Sequence, residues 1–276
     1  MRALMTLFVG VMLAGALPMF AQACGQETDC ALGDRVYRIA MPEGGPGPVG
    51  ALIFNHGYRG SHKGAMKNKN LVAFAHAQGM ALVSTKSASQ DWLIPGVPED
   101  PSESGDKEFA YFDALAEALV SEHGIDRDLI VVTGFSAGGM MVWNLACQRG
   151  ADFAGFVPIA GTFWDPVPKA CPSGAVNLVH VHGTSDKIVP LLGRRIAQTK
   201  QGSIFDALEM LGQTGGYGDR IPLPGKGDLT CAGRDGPKGE LLGFCTHPGG
   251  HSFSTGYLET ALDLLRAKGA LPPKAE

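Results

Sequence analysis

The chain has 276 residues, a formal net charge of −4, 45% hydrophobic residues and 18% charged ones. That is enough apolar material for one sizeable core, and the weak acidic balance speaks against a nucleic-acid or anionic-membrane partner. The 39 glycines and 18 prolines point to long loops between regular elements.

The first 23 residues read as a leader rather than as part of the fold. Arg2 supplies a positive charge, Leu4 to Leu17 is apolar, Pro18 ends the run, and Ala21-Gln22-Ala23 is an A-x-A cleavage signal. The apolar run is short for a membrane span. Acylation of Cys24 is a minor alternative, since Ala21 stands where lipoprotein signals usually carry Leu or Val. The expected mature chain, 24–276, is then one domain, secreted or periplasmic, with no membrane insertion after cleavage. Six cysteines in an exported chain imply disulfides. Short loops favour Cys24–Cys30, Cys147–Cys171 and Cys231–Cys245, with other pairings left open. The absence of any C-x-x-C pair weakens a zinc-ribbon reading.

Arg35 to Met41 reads as an early strand with Val36, Tyr37 and Ile39 buried. Val49 to Asn55 is a continuous apolar run, expected for a central parallel strand. It exits into His56-Gly57-Tyr58-Arg59-Gly60, a place from which the Tyr58 backbone N–H can serve an oxyanion. His56 itself reads as a loop-packing residue. Asn70 to Gln78 is a helix candidate, and Met80 to Ser84 a further strand. Thr85 to Gly105 has no clean period and three prolines, so it reads as a long loop over the sheet. Trp92 within it is either a cleft wall or a loop anchor. Asp106 to His123 has the helical spacing of Phe109, Phe112, Leu115, Ala116, Leu119 and Val120, closed by Gly124.

Leu129 to Thr133 reads as a buried strand, and Gly134-Phe135-Ser136-Ala137-Gly138 follows it. This is the G-x-S-x-G pattern of a nucleophile elbow, with Met140 to Cys147 as the helix behind. A serine on such a turn is pushed out at the strand's end, and free N–H groups at the helix start, Ala137's among them, face a developing oxyanion. Phe153 to Ala160 is a strand, followed by Phe163, Trp164 and Asp165. Ala175 to Val181 is another, leading through His182 to Asp186. Ser203 to Leu211 looks helical, and Asp219 to Gly239 looks irregular. Glu240 to Thr246 is a last strand before His247-Pro248-Gly249-Gly250-His251, and a final helix carries Leu258, Leu262 and Leu265 on one face. Alternating strands and helices imply an α/β fold, a mostly parallel central sheet with helices on both faces.

Ser136, Asp186 and His251 each follow a strand, so all three belong to one edge of that sheet. Their order is nucleophile, acid, base. His251 is suited to take the serine proton and return it to the leaving group, and Asp186 to hold the imidazole's tautomer. Asp165 competes with Asp186 for the acid, and His247 with His251 for the base; Pro248 and two glycines rule against a helical metal pair at 247 and 251. His180 and His182 read as structural.

Residues 124–139, His182-Gly183-Thr184-Ser185-Asp186-Lys187-Ile188-Val189-Pro190 and Pro248-Gly249-Gly250-His251-Ser252-Phe253 resemble the exported polyhydroxybutyrate depolymerases and their feruloyl and acetylxylan esterase relatives. The opening from Cys24 to Ile39 is similar as well. The resemblance implies an α/β-hydrolase fold and a Ser136–His251–Asp186 serine esterase that needs no metal or organic cofactor. It implies a short hydroxyalkanoate ester or polyester as substrate, with feruloyl or acetyl esters of plant polysaccharide as the alternative. A serine peptidase is the more distant reading. His56-Gly57-Tyr58 departs from the His-Gly-Cys or His-Gly-Ser common at that loop, which bears on the acyl pocket. Trp92, Phe163 and Trp164 are the candidate cleft aromatics.

Overall fold

A computed structural model describes residues 24–44 and 48–274; the leader expected over 1–23 lies outside them. Among the described residues, ten strands form one sheet. Its middle is parallel: β4 (Met80–Thr85), β3 (Val49–Asn55), β5 (Ile125–Phe135), β6 (Gly155–Ile159), β7 (Leu178–Gly183) and β12 (Leu241–His247), side by side in that order. Antiparallel strands close both ends. β1 (Cys30–Leu32) and β2 (Arg35–Ala40) lie beyond β4, and β11 (Thr230–Asp235) and β10 (Arg220–Leu223) lie beyond β12.

The central strands are apolar on both faces because both faces are covered. Ile53, Val83 and Val132 share one core with α3 (Asp106–His123) and α4 (Ala137–Gln148), around Phe112, Leu115 and Trp143. Their neighbours Leu52, Leu82 and Val131 share the other core with α2 (Lys69–Ala77) and α6 (Thr255–Ala267), around Leu71, Leu262 and Leu265. α3 has the bounds its spacing predicts, with Gly124 at φ 66° ending it. Its Glu108 is fully buried in the first turn. One carboxylate oxygen of Glu108 accepts from Ala88 and Leu93 N–H and the other from Arg35 Nη2 at 2.9 Å, which ties the long 86–105 loop down.

Two expectations are corrected. Residues 219–239 are not irregular, since they contain β10 and β11. Pro222, Gly225 and Gly227 hide the strand pattern, and Pro222 is tolerated because β10 is the outermost strand. α4 begins at Ala137 rather than Met140, because the two glycines inside it are there for close packing, not to delay the helix. The loop regions also hold a short α1 (His62–Met66), a small hairpin of β8 (Arg195–Ile196) and β9 (Thr199–Lys200), and α5 (Ile204–Thr214). Disulfides join Cys24 to Cys30, Cys147 to Cys171 and Cys231 to Cys245, the last across the paired strands β11 and β12. No described helix is long and apolar enough to cross a membrane.

Candidate active site

Ser136 stands between β5 and α4 at φ 59°, ψ −121°, a backbone conformation that L residues rarely adopt. The turn is held by Ser136 N–H to Ile159 O at 2.9 Å and Met140 N–H to Ser136 O at 2.9 Å. It is so tight that a Cβ on Gly138 would lie 2.0 Å from Asn55 O, and one on Gly134 would lie 2.4 Å from Gly138 O. These contacts are the physical reason for glycine on both sides of the serine.

His251 follows β12, and its ring packs on Phe135, the residue before Ser136, with centroids 4.7 Å apart. Its Nδ1 donates to Asp186 Oδ2 at 2.7 Å, which leaves Nε2 as the nitrogen able to accept a proton. Asp186 Oδ1 accepts from Ile188 N–H at 2.8 Å and Val189 N–H at 2.9 Å. Burial pushes the Asp186 carboxyl up, but bonding to His182, His251 and Val189 N–H outweighs it and holds the group well below the usual carboxylate range. His182 is buried in β7, with Nε2 on Val189 O at 2.7 Å and Nδ1 beside His180 Nε2 at 2.9 Å. Burial lowers the pKa of His180 strongly, and His182 Nε2 lies 3.4 Å from Asp186 Oδ2.

The rivals stand elsewhere. His247 stacks on Tyr257 with centroids 4.6 Å apart, and its Nδ1 accepts from Gly249 N–H. Asp165 is exposed and faces Lys200 at 4.0 Å. His56 is buried, with Nδ1 on Gly57 O at 2.9 Å; burial lowers its pKa.

A cleft of about 290 Å³ opens beside Ser136. It is lined by Tyr58, Ala137, Met140, Trp164, Val189 and Ile196, and by the polar side chains of Asp91, Glu99, Arg194 and Gln201. Tyr58 and Ala137 are therefore at the serine. Ala137 opens α4, where an N–H has no acceptor within the helix. In this turn Arg59 N–H goes to Gln90 O and Gly60 N–H to Gly57 O, while Tyr58 N–H has no acceptor among the described residues.

Of the three aromatic residues expected at the cleft, only Trp164 lines it. Trp92 is a loop anchor instead. It is fully buried against His56 and Phe112, and its Nε1 donates to His56 O at 2.8 Å. Phe163 is a core residue packed on Trp143 with centroids 5.5 Å apart. Both point inward because the loop dipeptides Asp91-Trp92 and Phe163-Trp164 alternate between core and cleft. Asp91 and Gln201 were not singled out by sequence reading, for no local motif marks them. The one described group with metal-like spacing, Cys24, Cys30 and His123, has both sulfurs in a disulfide and offers no thiolate.

Comparison with known proteins gives the family and the fold. Residues 43–210 match the phospholipase/carboxylesterase family profile, a span that includes Ser136 and Asp186 and ends before His251. The chain is 26% identical over 264 residues to a protein of Nocardia uniformis subsp. tsuyamanensis named as an esterase, NocK, covering 86% of this chain and 75% of that one. It is 26% identical over 206 residues to an Aspergillus terreus protein named as a feruloyl esterase C, covering 70% and 71%. Its fold is similar to that of an acetyl xylan esterase from Aspergillus awamori, with a TM-score of 0.57 at 12% identity over 79% of this chain and 89% of the other. The chain belongs to the phospholipase/carboxylesterase family, has the α/β-hydrolase fold and is a carboxylic-ester hydrolase.

Proposed function

We propose that the protein is an exported serine esterase in which Ser136 is the nucleophile, His251 the base and Asp186 the acid. The observation that carries this is the His251–Asp186 bond at 2.7 Å, directed from the loop that packs on the serine's own neighbour. His251 Nε2 takes the Ser136 proton as the hydroxyl attacks the ester carbonyl. The N–H groups of Tyr58 and Ala137 receive the oxyanion. His251 returns the proton to the departing alcohol, and water then releases the acyl group by the same route. The leader and the three disulfides support export to an oxidising compartment.

For the substrate, the relative named as a feruloyl esterase and the cleft's Trp164 wall favour an ester of a phenolic acid. This reverses the order in which the sequence resemblance ranks the two substrates. A hydroxyalkanoate polyester is the second reading, favoured by Tyr58 and Ile188, which stand about half exposed at the cleft and give it an apolar rim. The test is hydrolysis of p-nitrophenyl butyrate, methyl ferulate and amorphous polyhydroxybutyrate by wild type and Ser136→Ala. Ferulate release that vanishes in Ser136→Ala is the expected result. Polymer clearing without ferulate release reverses the substrate order, and inactivity on all three sinks the esterase proposal.

A further inference from the structure

We propose that His182 is a positioning residue behind the acid: its Nε2–H anchors Val189, at the far side of the acid's loop, and stands against Asp186 Oδ2, the oxygen that receives His251. The proposal rests on the serine-esterase reading and extends it by one residue.

His182 is the last residue but one of β7, and its side chain and that of Asp186 are both closed to solvent. Its Nε2 lies 2.7 Å from Val189 O and 3.4 Å from Asp186 Oδ2. A peptide carbonyl only accepts, so Nε2 carries the hydrogen. In a ring with one hydrogen the lone pair is then on Nδ1, where His180 Nε2 approaches to 2.9 Å. Both nitrogens of His182 are therefore occupied, and the ring cannot itself take a proton from Ser136.

Val189 is gripped at both its backbone groups. Its N–H goes to Asp186 Oδ1 at 2.9 Å, and its carbonyl goes to His182. The near side of the loop is anchored by backbone alone, Ser185 N–H to Gly249 O and Asp186 N–H to Gly183 O. Beyond the acid, Arg194 Nε reaches Ile188 O, but from an exposed side chain. His182 is thus the buried side chain that ties the far side of the loop to the sheet.

The second contact acts on the charge. Asp186 Oδ2 receives His251 Nδ1 at 2.7 Å, and the His182 N–H beside it lies at 3.4 Å. That distance makes a weak hydrogen bond, yet in a dry pocket an N–H dipole still acts across it. It favours the carboxylate and opposes a positive charge on His251. Without it the carboxylate is more basic, and the His251 imidazolium is easier to form. The other ionisable groups around the pair are His180 on β7, Lys187 in the loop, Arg194 beyond it, Ser136 and His247, with Asp228 and Tyr257 facing His247. All of them stay in place when His182 alone is replaced.

The test compares His182→Asn with His182→Gln. The Asn amide reaches the place of Nδ1, so it can accept from His180 but stops short of Val189. The Gln amide reaches the place of Nε2, so it keeps the donor and gives up His180. Hydrolysis of p-nitrophenyl butyrate is followed against pH for both variants, wild type and Ser136→Ala. His182→Asn is expected to lose about tenfold or more in kcat with KM little changed. The acid limb of its kcat/KM profile should move to higher pH by about half a unit or more. His182→Gln should keep the wild-type limb and most of kcat. The position of the limb does not depend on how much of a variant is folded, so it separates positioning from damage. Heteronuclear NMR of histidine-labelled wild type, which needs no variant, should show the Nε2–H form of His182; the Nδ1–H form overturns the proposal. It is equally overturned by an unmoved limb in His182→Asn, by equal shifts in both variants, or by a shift in His182→Gln alone. Activity that survives in Ser136→Ala removes the triad reading and this proposal with it. Activity that needs Ser136 but ignores His182→Asn removes only the role of His182.

Discussion

His251 Nδ1 lies 2.7 Å from Asp186 Oδ2, although the two residues are 65 positions apart. The Asp186 carboxyl is held in turn by the N–H groups of Ile188 and Val189, so in the proposed triad the base is oriented through an anchored acid. Asp186→Asn is expected to lower kcat by about 10⁴-fold, because the amide favours the wrong imidazole tautomer. Its effect on stability has a defined sign. The folded carboxyl is depressed, so its contribution is present above the unfolded value near about 3.9 and is lost as pH falls further. Melting curves of wild type and variant should therefore lie apart at pH 7 and converge below about pH 4. A constant gap across that range contradicts the assignment.

Ser136 sits at φ 59° with a Cβ to accommodate, and the strain has a measurable counterpart. Ser136→Gly should abolish ester hydrolysis yet raise stability by about 1 kcal/mol, or roughly 2–4 °C in Tm, through relief of that conformation. Ser136→Ala retains the Cβ and should be equally inactive without the gain. Equal melting temperatures for the two variants would mean that the turn is unstrained.

Gly138→Ala places a methyl 2.0 Å from Asn55 O. That atom belongs to β3 backbone, which cannot swing aside as a side chain can. A loss of about 3 kcal/mol is expected by chemical denaturation. Because Asn55 leads directly into His56-Gly57-Tyr58, the folded remainder should also show a reduced kcat. A variant as stable as wild type would show that α4 and β3 can separate freely.

Asp91 gives the opposite pH signature to Asp186. Its folded carboxyl is raised to about 7, so between about pH 4 and 7 the folded state holds a proton that the unfolded state has released. Wild type should lose stability as pH rises through that window, and Asp91→Asn should not. The variant's advantage in Tm should appear on going from pH 4 to pH 8, corresponding to a few kcal/mol at the upper end. A pH-independent difference would mean that the carboxyl is screened or paired.

The architecture was legible where a residue's role follows from its chain neighbours. The G-x-S-x-G turn, the continuous apolar strands and the spacing in α3 each carry their own signal, and the order Ser136, Asp186, His251 follows from strand ends. The edge strand β10 and its neighbour β11 were not legible, since strands near a sheet margin are held by their neighbours and need no apolar pattern. The cleft was legible least of all. Trp92 and Trp164 are chemically alike in sequence, yet one donates its Nε1 proton to His56 O in the core and the other lines the cleft. Which one does so is decided by Glu108 gripping the 86–105 loop and by the bridge from Trp164 to Gln201, contacts between distant segments.

Gln198 Nε2 donates to Pro98 O across 100 positions of sequence, close to where two loops meet over the cleft. One loop brings Asp91, Pro98 and Glu99 to the cleft, and the other brings Arg194, Ile196 and Gln201. The segments 91–99 and 194–201 contain none of Ser136, Asp186 and His251, although Arg194 ends the connection from β7 that carries Asp186. Much of the cleft wall is thus housed in stretches of the chain apart from the three residues proposed for catalysis. Exchange of those two loops together, as a matched pair, is the route by which this scaffold could acquire a new diet while inheriting its chemistry unchanged.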